Sequence, residues 1–243
     1  VGEIKKSSVY DSVGVNFYIR FAGGDGGIDE LLEKVAKNMR LDNVALVNTG
    51  IQTGADKYTD AHKKKYQSIT ATKGEGIFVF PKGDLKKLVS NEALIKPWFK
   101  NSDVGRYVTK TTNSLELLLS NFIATKEQEP NAIDYLSRFK DILINRSQPE
   151  HMLDWWDLHQ IRMKDKNKTG EIKKMIFDEP KIVVPYRSYE NIFGYNDVPW
   201  FASVDVFFIT AKADVPFEPF YLLGVLNSKL IYIWLYHRGK RKG

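Results

Sequence analysis

Two periods alternate along the chain. Ile28, Leu31, Leu32, Val35, Ala36 and Met39 recur at helical spacing behind the turn AGGDGG (22–27). Asp29 and Glu30 fall in the first turn, where acids complement the helix dipole, so the pattern predicts an amphipathic helix. NVALVNTG (43–50) predicts a short strand into a glycine turn, and GIFVFP (76–81) a strand stopped by proline. IKPWFKNSDVGRYV (95–108) is broken by Pro97 and by Asn-Ser-Asp, which predicts loop. NSLELLLSNFIA (113–124) fits strand or helix, with strand favoured toward its end.

EPNAIDYLSRFKDILINR (129–146) carries one apolar stripe through Ile133, Leu136 and Leu143, with Lys140 on the same line. It predicts a helix capped by Asn131. PKIVVPYRS (180–188) and ASVDVFFIT (202–210) predict strands from β-branched and aromatic content. KDKNKTGEIKK (164–174) is a charged excursion. At the end of the chain, Asn227 and Ser228 break the apolar run, and a second helix is expected from Lys229 to Tyr236. Its apolar residues predict burial in the core. The run is shorter than the roughly 20 residues that span a bilayer, so no membrane segment is expected. The pattern is mixed α and β with long connections, of the kind that often carry function.

Composition narrows the chemistry. The 243 residues fit one large domain, and 43% apolar content is enough for a core. The net charge of +6 suits a nucleic acid or another anionic partner. There are no cysteines, which excludes disulfides, thiolate metal sites and a cysteine nucleophile. Residue 1 is valine and the start lacks an apolar signal core, which reads as a cytoplasmic piece of a longer chain.

Catalytic patterns are sparse. No phosphate loop, GxSxG elbow or HExxH occurs, and His62, His151, His159 and His237 lack metal-site spacing. Glu171 and Lys173 resemble half of a metal-dependent nuclease core, with Asp165 as the nearest partner acid. An autonomous Mg²⁺ nuclease is the weakest reading. The richer signal lies in two polar loops. NTGIQTGADK (48–57) offers Gln52, Thr53, Asp56 and Lys57, and YRSYENIFGYNDVPW (186–200) offers Arg187, Tyr189 and Asn196. Such groups can read base edges, although glycine-rich hairpins and aromatic connectors of this composition also occur for purely structural reasons.

These blocks, with AIDYLSRFKDILINR, WWDLHQIR, EPKIVVPY, YLLGVLNSKL and HRGKRKG, follow one another over residues 44–243. In that order the chain resembles the TaqI-like C-terminal specificity domain of adenine-N6 DNA methyltransferases. This is the target recognition domain of type IIG restriction-modification enzymes, and LNSKL is also similar to segments of type I specificity subunits. The resemblance implies an α+β fold, with mixed, largely antiparallel sheets, flanking helices and long loops. It implies a single target recognition domain over 1–243, with 1–43 as a lead-in.

It also implies a bacterial parent in which an upstream methyltransferase domain of the same chain binds S-adenosylmethionine. That domain carries an Asn/Asp-Pro-Pro-Tyr/Phe motif, which is not in this sequence. The fragment is therefore expected to hold no cofactor or catalytic residue of its own, and to partner double-stranded DNA. Gln52, Thr53, Asp56, Lys57, Arg187, Tyr189 and Asn196 are the candidates for base readout. Lys100, Arg106, Lys229, Arg238, Lys240 and Arg241 are the candidates for phosphate contact. Arg146 and Arg162 are expected to be structural, bonding backbone carbonyls or acids beside the helices, and Trp155 and Trp156 to anchor the core or an interface. A specificity or interaction module of a multi-subunit restriction-modification system is the alternative.

Overall fold

The structure, a computed structural model, describes residues 26–146, 154–161, 175–216 and 218–239. Its helices are α1 (Gly26–Ala36), α2 (Leu41–Val44), α3 (Asp60–Lys65), α4 (Pro130–Ser137), α5 (Lys140–Ile144), α6 (Pro219–Leu226) and α7 (Lys229–Arg238). Its strands are β1 (Ala45–Thr49), β2 (Val79–Pro81), β3 (Ile95–Phe99), β4 (Tyr107–Val108), β5 (Leu115–Leu118), β6 (Lys181–Pro185), β7 (Gly194–Asn196), β8 (Phe201–Ala202) and β9 (Val206–Ala211). One sheet has the order β1-β9-β6-β7-β4 and the other β2-β5-β3-β8. Pairing is antiparallel except between β3 and β8 and between β4 and β7. The fold is α+β, with mixed, largely antiparallel sheets.

The period of two along the strands builds two cores on one sheet. In β6 and β9, Val183 lies opposite Phe208 and both enter the main core, while Ile182 lies opposite Ile209 and both face the other way. On that second face Leu222, Leu223 and Leu226 of α6 cover the sheet. The main core joins the two sheets through aromatic rings. Phe99 stacks on Trp200 with ring centres 4.7 Å apart, and Phe177 meets Phe208 edge-on at 4.7 Å. The Trp200 indole N–H donates to the Lys110 carbonyl at 2.9 Å, which satisfies the polar edge of a buried ring.

Several expectations change. The segment predicted as loop around Pro97 contains β3 and β4. Pro97 lies opposite Glu116 of β5, and β8 pairs with β3 only at Trp98 and Phe99, so the proline nitrogen is outside the stretch that needs a second partner. In 113–124 the strand is the first half, and 120–122 form a 3-10 turn. The long helix splits into α4 and α5 around Phe139, whose buried ring sits near Tyr58 and Tyr135. α4 has Glu129 at its N-cap position and Pro130 at its first position, two residues earlier than the predicted Asn131 cap. The Glu129 carboxylate accepts from the amides of Ser90 (2.7 Å) and Asn91 (2.9 Å).

α7 has the expected start, with the Ser228 hydroxyl accepting from the Ile231 amide. It is not a core helix: none of its residues is buried, and Leu230 and Leu235 are 42% and 41% exposed. Seven apolar residues in succession, 230–236, place apolar groups all around the helix, and one packed neighbour cannot cover them. No described helix is long and apolar enough to cross a membrane.

Candidate nucleic-acid interface

The loop after β1 is threaded between the sheets by its backbone. The Gly50 amide donates to the Val206 carbonyl at 2.9 Å and that of Ile51 to Ala202 at 2.8 Å. Gln52 then exchanges two backbone bonds with Gln160, at 2.9 and 2.8 Å. Gly54 follows with φ +82°, a left-handed conformation that glycine adopts without strain. Beyond it the Asp56 carbonyl receives the amides of Ile77 (2.9 Å), Phe78 (3.2 Å) and Val79 (3.2 Å). The loop is fixed at both ends before any side chain is considered.

Arg146 locks the same loop from below. Its guanidinium donates to the carbonyls of Thr53 (2.7 Å), Leu143 (3.0 Å), Trp155 (3.1 Å) and Asp157 (2.8 Å). Burial pushes its pKa down to about 10, still charged at neutral pH. Trp156 is buried in the main core and donates its indole N–H to Ile123, while Trp155 is half-buried at its edge. These are the structural roles expected of them.

The fixed loop forms one wall of a cleft of about 580 Å³. Asp56, Lys57, Thr59 and His62 line one side, Lys100 the β3 end, and Asp205 the turn between β8 and β9. Lysine donors and carboxylate acceptors thus share one concave surface. Thr53 also lines it, but its residue is buried and its hydroxyl donates to Asp56 Oδ1, so it orients the carboxylate. Gln52 is exposed beside the cleft without lining it. The Tyr186 amide donates to the Asp205 carbonyl at 2.7 Å, so the 186–189 loop begins beside the turn that carries Asp205. There Arg187 lies over the Tyr186 ring at 5.9 Å, and Tyr189 is fully exposed. The two candidate base-reading blocks are thus linked through the Asp205 turn, although no residue of 186–189 lines the cleft.

Asn196 does not join them. It is 2% exposed, donates to the Thr109 hydroxyl at 2.7 Å and accepts from the Val198 amide and the Lys181 ammonium. It is a buried hydrogen-bond hub, out of reach of a base edge. Among the described phosphate candidates only Lys100 lines the cleft. The Arg106 guanidinium donates to the Asn227 carbonyl at 2.6 Å and thereby ties β4 to the α6–α7 junction. Lys229 is exposed at the start of α7, and Arg238 at its end lies 6.0 Å over Trp234. Lys240, Arg241, Arg162, Asp165, Glu171 and Lys173 lie outside the described residues.

Three groups were not legible as site residues. Asp205 reads as part of one strand in ASVDVFFIT, yet it sits in the turn that splits that block. Asn101 follows Lys100 into the cleft. Lys63, Lys64 and Lys65 lie on α3 directly behind the cleft residue His62, and a run of three lysines was their available signal.

The cleft carries an electrostatic cost. Asp56 remains open to cleft solvent, but the protein packed about its carboxyl raises its pKa above the ordinary 3.8. The Thr53 hydroxyl and Lys57 oppose that rise, and Asp205 adds to it. A carboxyl raised on folding adds stability below its unfolded pKa and loses it as pH climbs through the folded one. Charged Asp56 therefore opposes folding at neutral pH. Asp56→Asn is expected to raise the urea midpoint at pH 7 and to flatten the pH dependence just above 3.8. A lowered midpoint would contradict this account.

The chain is basic, has an α+β fold and carries a cleft lined by both signs of charge. The model of the TaqI-like C-terminal specificity domain matches residues 47–242, and the chain belongs to that family. Among solved structures it is similar to the type IIL restriction-modification enzyme MmeI in complex with DNA, with a TM-score of 0.52 and 14% identity. That likeness, one of fold, covers 85% of this chain and 24% of the other. The chain thus spans about a quarter of that enzyme's length. No curated protein matches it by sequence.

Proposed function

We propose that this domain reads the sequence of duplex DNA for a restriction-modification enzyme, with the cleft between the sheets facing the base edges. The observation that carries the reading is the convergence of Asp56, Lys57, Lys100 and Asp205 in one cleft, with the loop that carries Arg187 and Tyr189 starting beside Asp205, in a specificity-domain family member. Lysine and arginine can donate to guanine O6 and N7, and a carboxylate can accept from a base amino group. Phosphate contacts set the register on which that readout depends.

The parent is proposed to be an adenine-N6 methyltransferase of type IIG. An upstream domain of the same chain would hold S-adenosylmethionine and receive the flipped adenine, while this domain holds the duplex. An Asn-Pro-Pro-Tyr motif encoded ahead of Val1 would support that assignment.

The test is selection from a randomised duplex library, followed by fluorescence anisotropy on the selected and scrambled sites. The wild-type chain should select a motif and bind with an affinity that falls steeply with salt. Lys57→Ala and Arg187→Ala should each reduce discrimination at one position by about 1–3 kcal/mol, roughly 5- to 150-fold. Neutralising Lys229, Lys240 and Arg241 should weaken all sites alike and leave the motif unchanged. Absence of any duplex binding at low salt would defeat the proposal.

One observation favours the second reading, a docking module of a multi-subunit system. α6 and α7 expose Phe220, Tyr221, Leu230, Leu235 and Tyr236 on neighbouring elements. That reading expects binding to a separate subunit and indifference to duplex DNA.

A further inference from the structure

We infer that α3 seats the phosphate backbone of one DNA strand through Lys63, Lys64 and Lys65, as the outer wall of the cleft. This rests on the DNA-reading function proposed above and assigns the cleft its orientation.

α3 is held through its first turn. Thr59 caps the helix, its hydroxyl accepting from the His62 amide at 3.3 Å, and the His62 Nδ1 accepts from the Thr59 amide at 3.3 Å. Both capping residues line the cleft, so the helix is anchored to it by its first turn. The three lysines follow in its last turn, all exposed. Their charge is not consumed locally. Asp60, the helix's own acid, pairs with Lys73 instead. Lys63 and Lys64 pair with no carboxylate among the described residues, and Lys65 lies 5.2 Å over the Tyr66 ring. His62 adds no charge at neutral pH, because burial lowers its pKa below the ordinary 6.5.

Charge is segregated across this short distance. The cleft holds the carboxylates of Asp56 and Asp205 beside Lys57 and Lys100. A phosphate entering it would meet two carboxylates that offset the two ammonium groups, a surface with no net attraction. A phosphate on the α3 side meets three uncompensated cations. The backbone is therefore directed to the wall and the base edges to the acid-bearing interior. Lysines in a last turn also favour the helix dipole, and a stability measurement separates that role from binding.

The experiment compares the wild-type chain with the triple variant Lys63→Gln, Lys64→Gln, Lys65→Gln, on duplex DNA from 50 to 300 mM salt. Each lost phosphate contact should reduce the slope of log K against log salt by about 0.9, so a reduction of about 2–3 is expected, with the selected motif unchanged. A control of equal charge loss, Lys82→Gln, Lys86→Gln, Lys87→Gln, should keep the wild-type slope. An unchanged slope in the α3 variant, an equal reduction in the control, or a lowered urea midpoint with the slope retained would overturn the inference. If the wild type binds DNA while α3 has no effect, only this inference fails. If the wild type ignores DNA, the recognition function fails with it.

Discussion

Arg146→Met is expected to destabilise the chain by on the order of 3–5 kcal/mol, read as a lower urea midpoint with an unchanged slope. The substitution keeps much of the apolar stem but strands the carbonyls of Thr53, Leu143, Trp155 and Asp157. Each hydrogen bond from a charged donor contributes about 1.5–3 kcal/mol, and a buried acceptor left unsatisfied costs about 1–3 kcal/mol. The total is below a simple sum because the four bonds act as a unit. Arg146→Lys should recover only part of the loss, since an ammonium cannot reproduce the planar fork that reaches four carbonyls at once. The damage should concentrate in the 52–57 loop and show there as faster amide exchange. A loss below about 1 kcal/mol would mean the carbonyls find water or another donor.

Gly50→Ala is expected to cost about 3 kcal/mol, at the upper end of overpacking effects. A Cβ at position 50 would stand 2.1 Å from the Ser203 carbonyl oxygen and 2.3 Å from that of Ala202. Both atoms are backbone, so no rotamer change relieves the clash. The relief must come from moving the β8–β9 turn, which carries Asp205. Gly50→Ala should therefore also alter the selected DNA motif, whereas Gly83→Ala, which meets nothing within 4 Å and is strained only by its own φ of +92°, should leave the motif alone. Wild-type stability and motif in Gly50→Ala would show that the turn yields freely.

How far the sequence carried depended on whether a residue's role was local. β6 and β9 were legible from their β-branched and aromatic content, whereas the division of their side chains between two cores, as at Ile182 and Val183, came only with the fold. α7 was legible in extent from Asn227 and Ser228, but not in burial, because an apolar run says nothing about what stands opposite it. Arg146 was legible as a clamp, while its partners at Thr53 and Trp155 are set by long-range folding. Asn196 misled because an amide suited to a base edge is equally suited to a buried hub. Asp205 was hidden inside a block that reads as one strand. Lys63–Lys65 acquired meaning only when the fold placed α3 beside the cleft.

The polar walls of the cleft come from three distant parts of the chain, 53–62, 98–101 and 203–205, with Val79 and Leu115 adding apolar lining between them. Recombination between relatives exchanges contiguous segments, and one such exchange replaces one wall while leaving the other two. A transplanted segment therefore inherits the neighbours of its host, and new combinations of wall arise without new residues. Directed retargeting faces the same geometry: a graft should carry all three segments together, with Arg146 and Gly50 retained as the frame that aligns them.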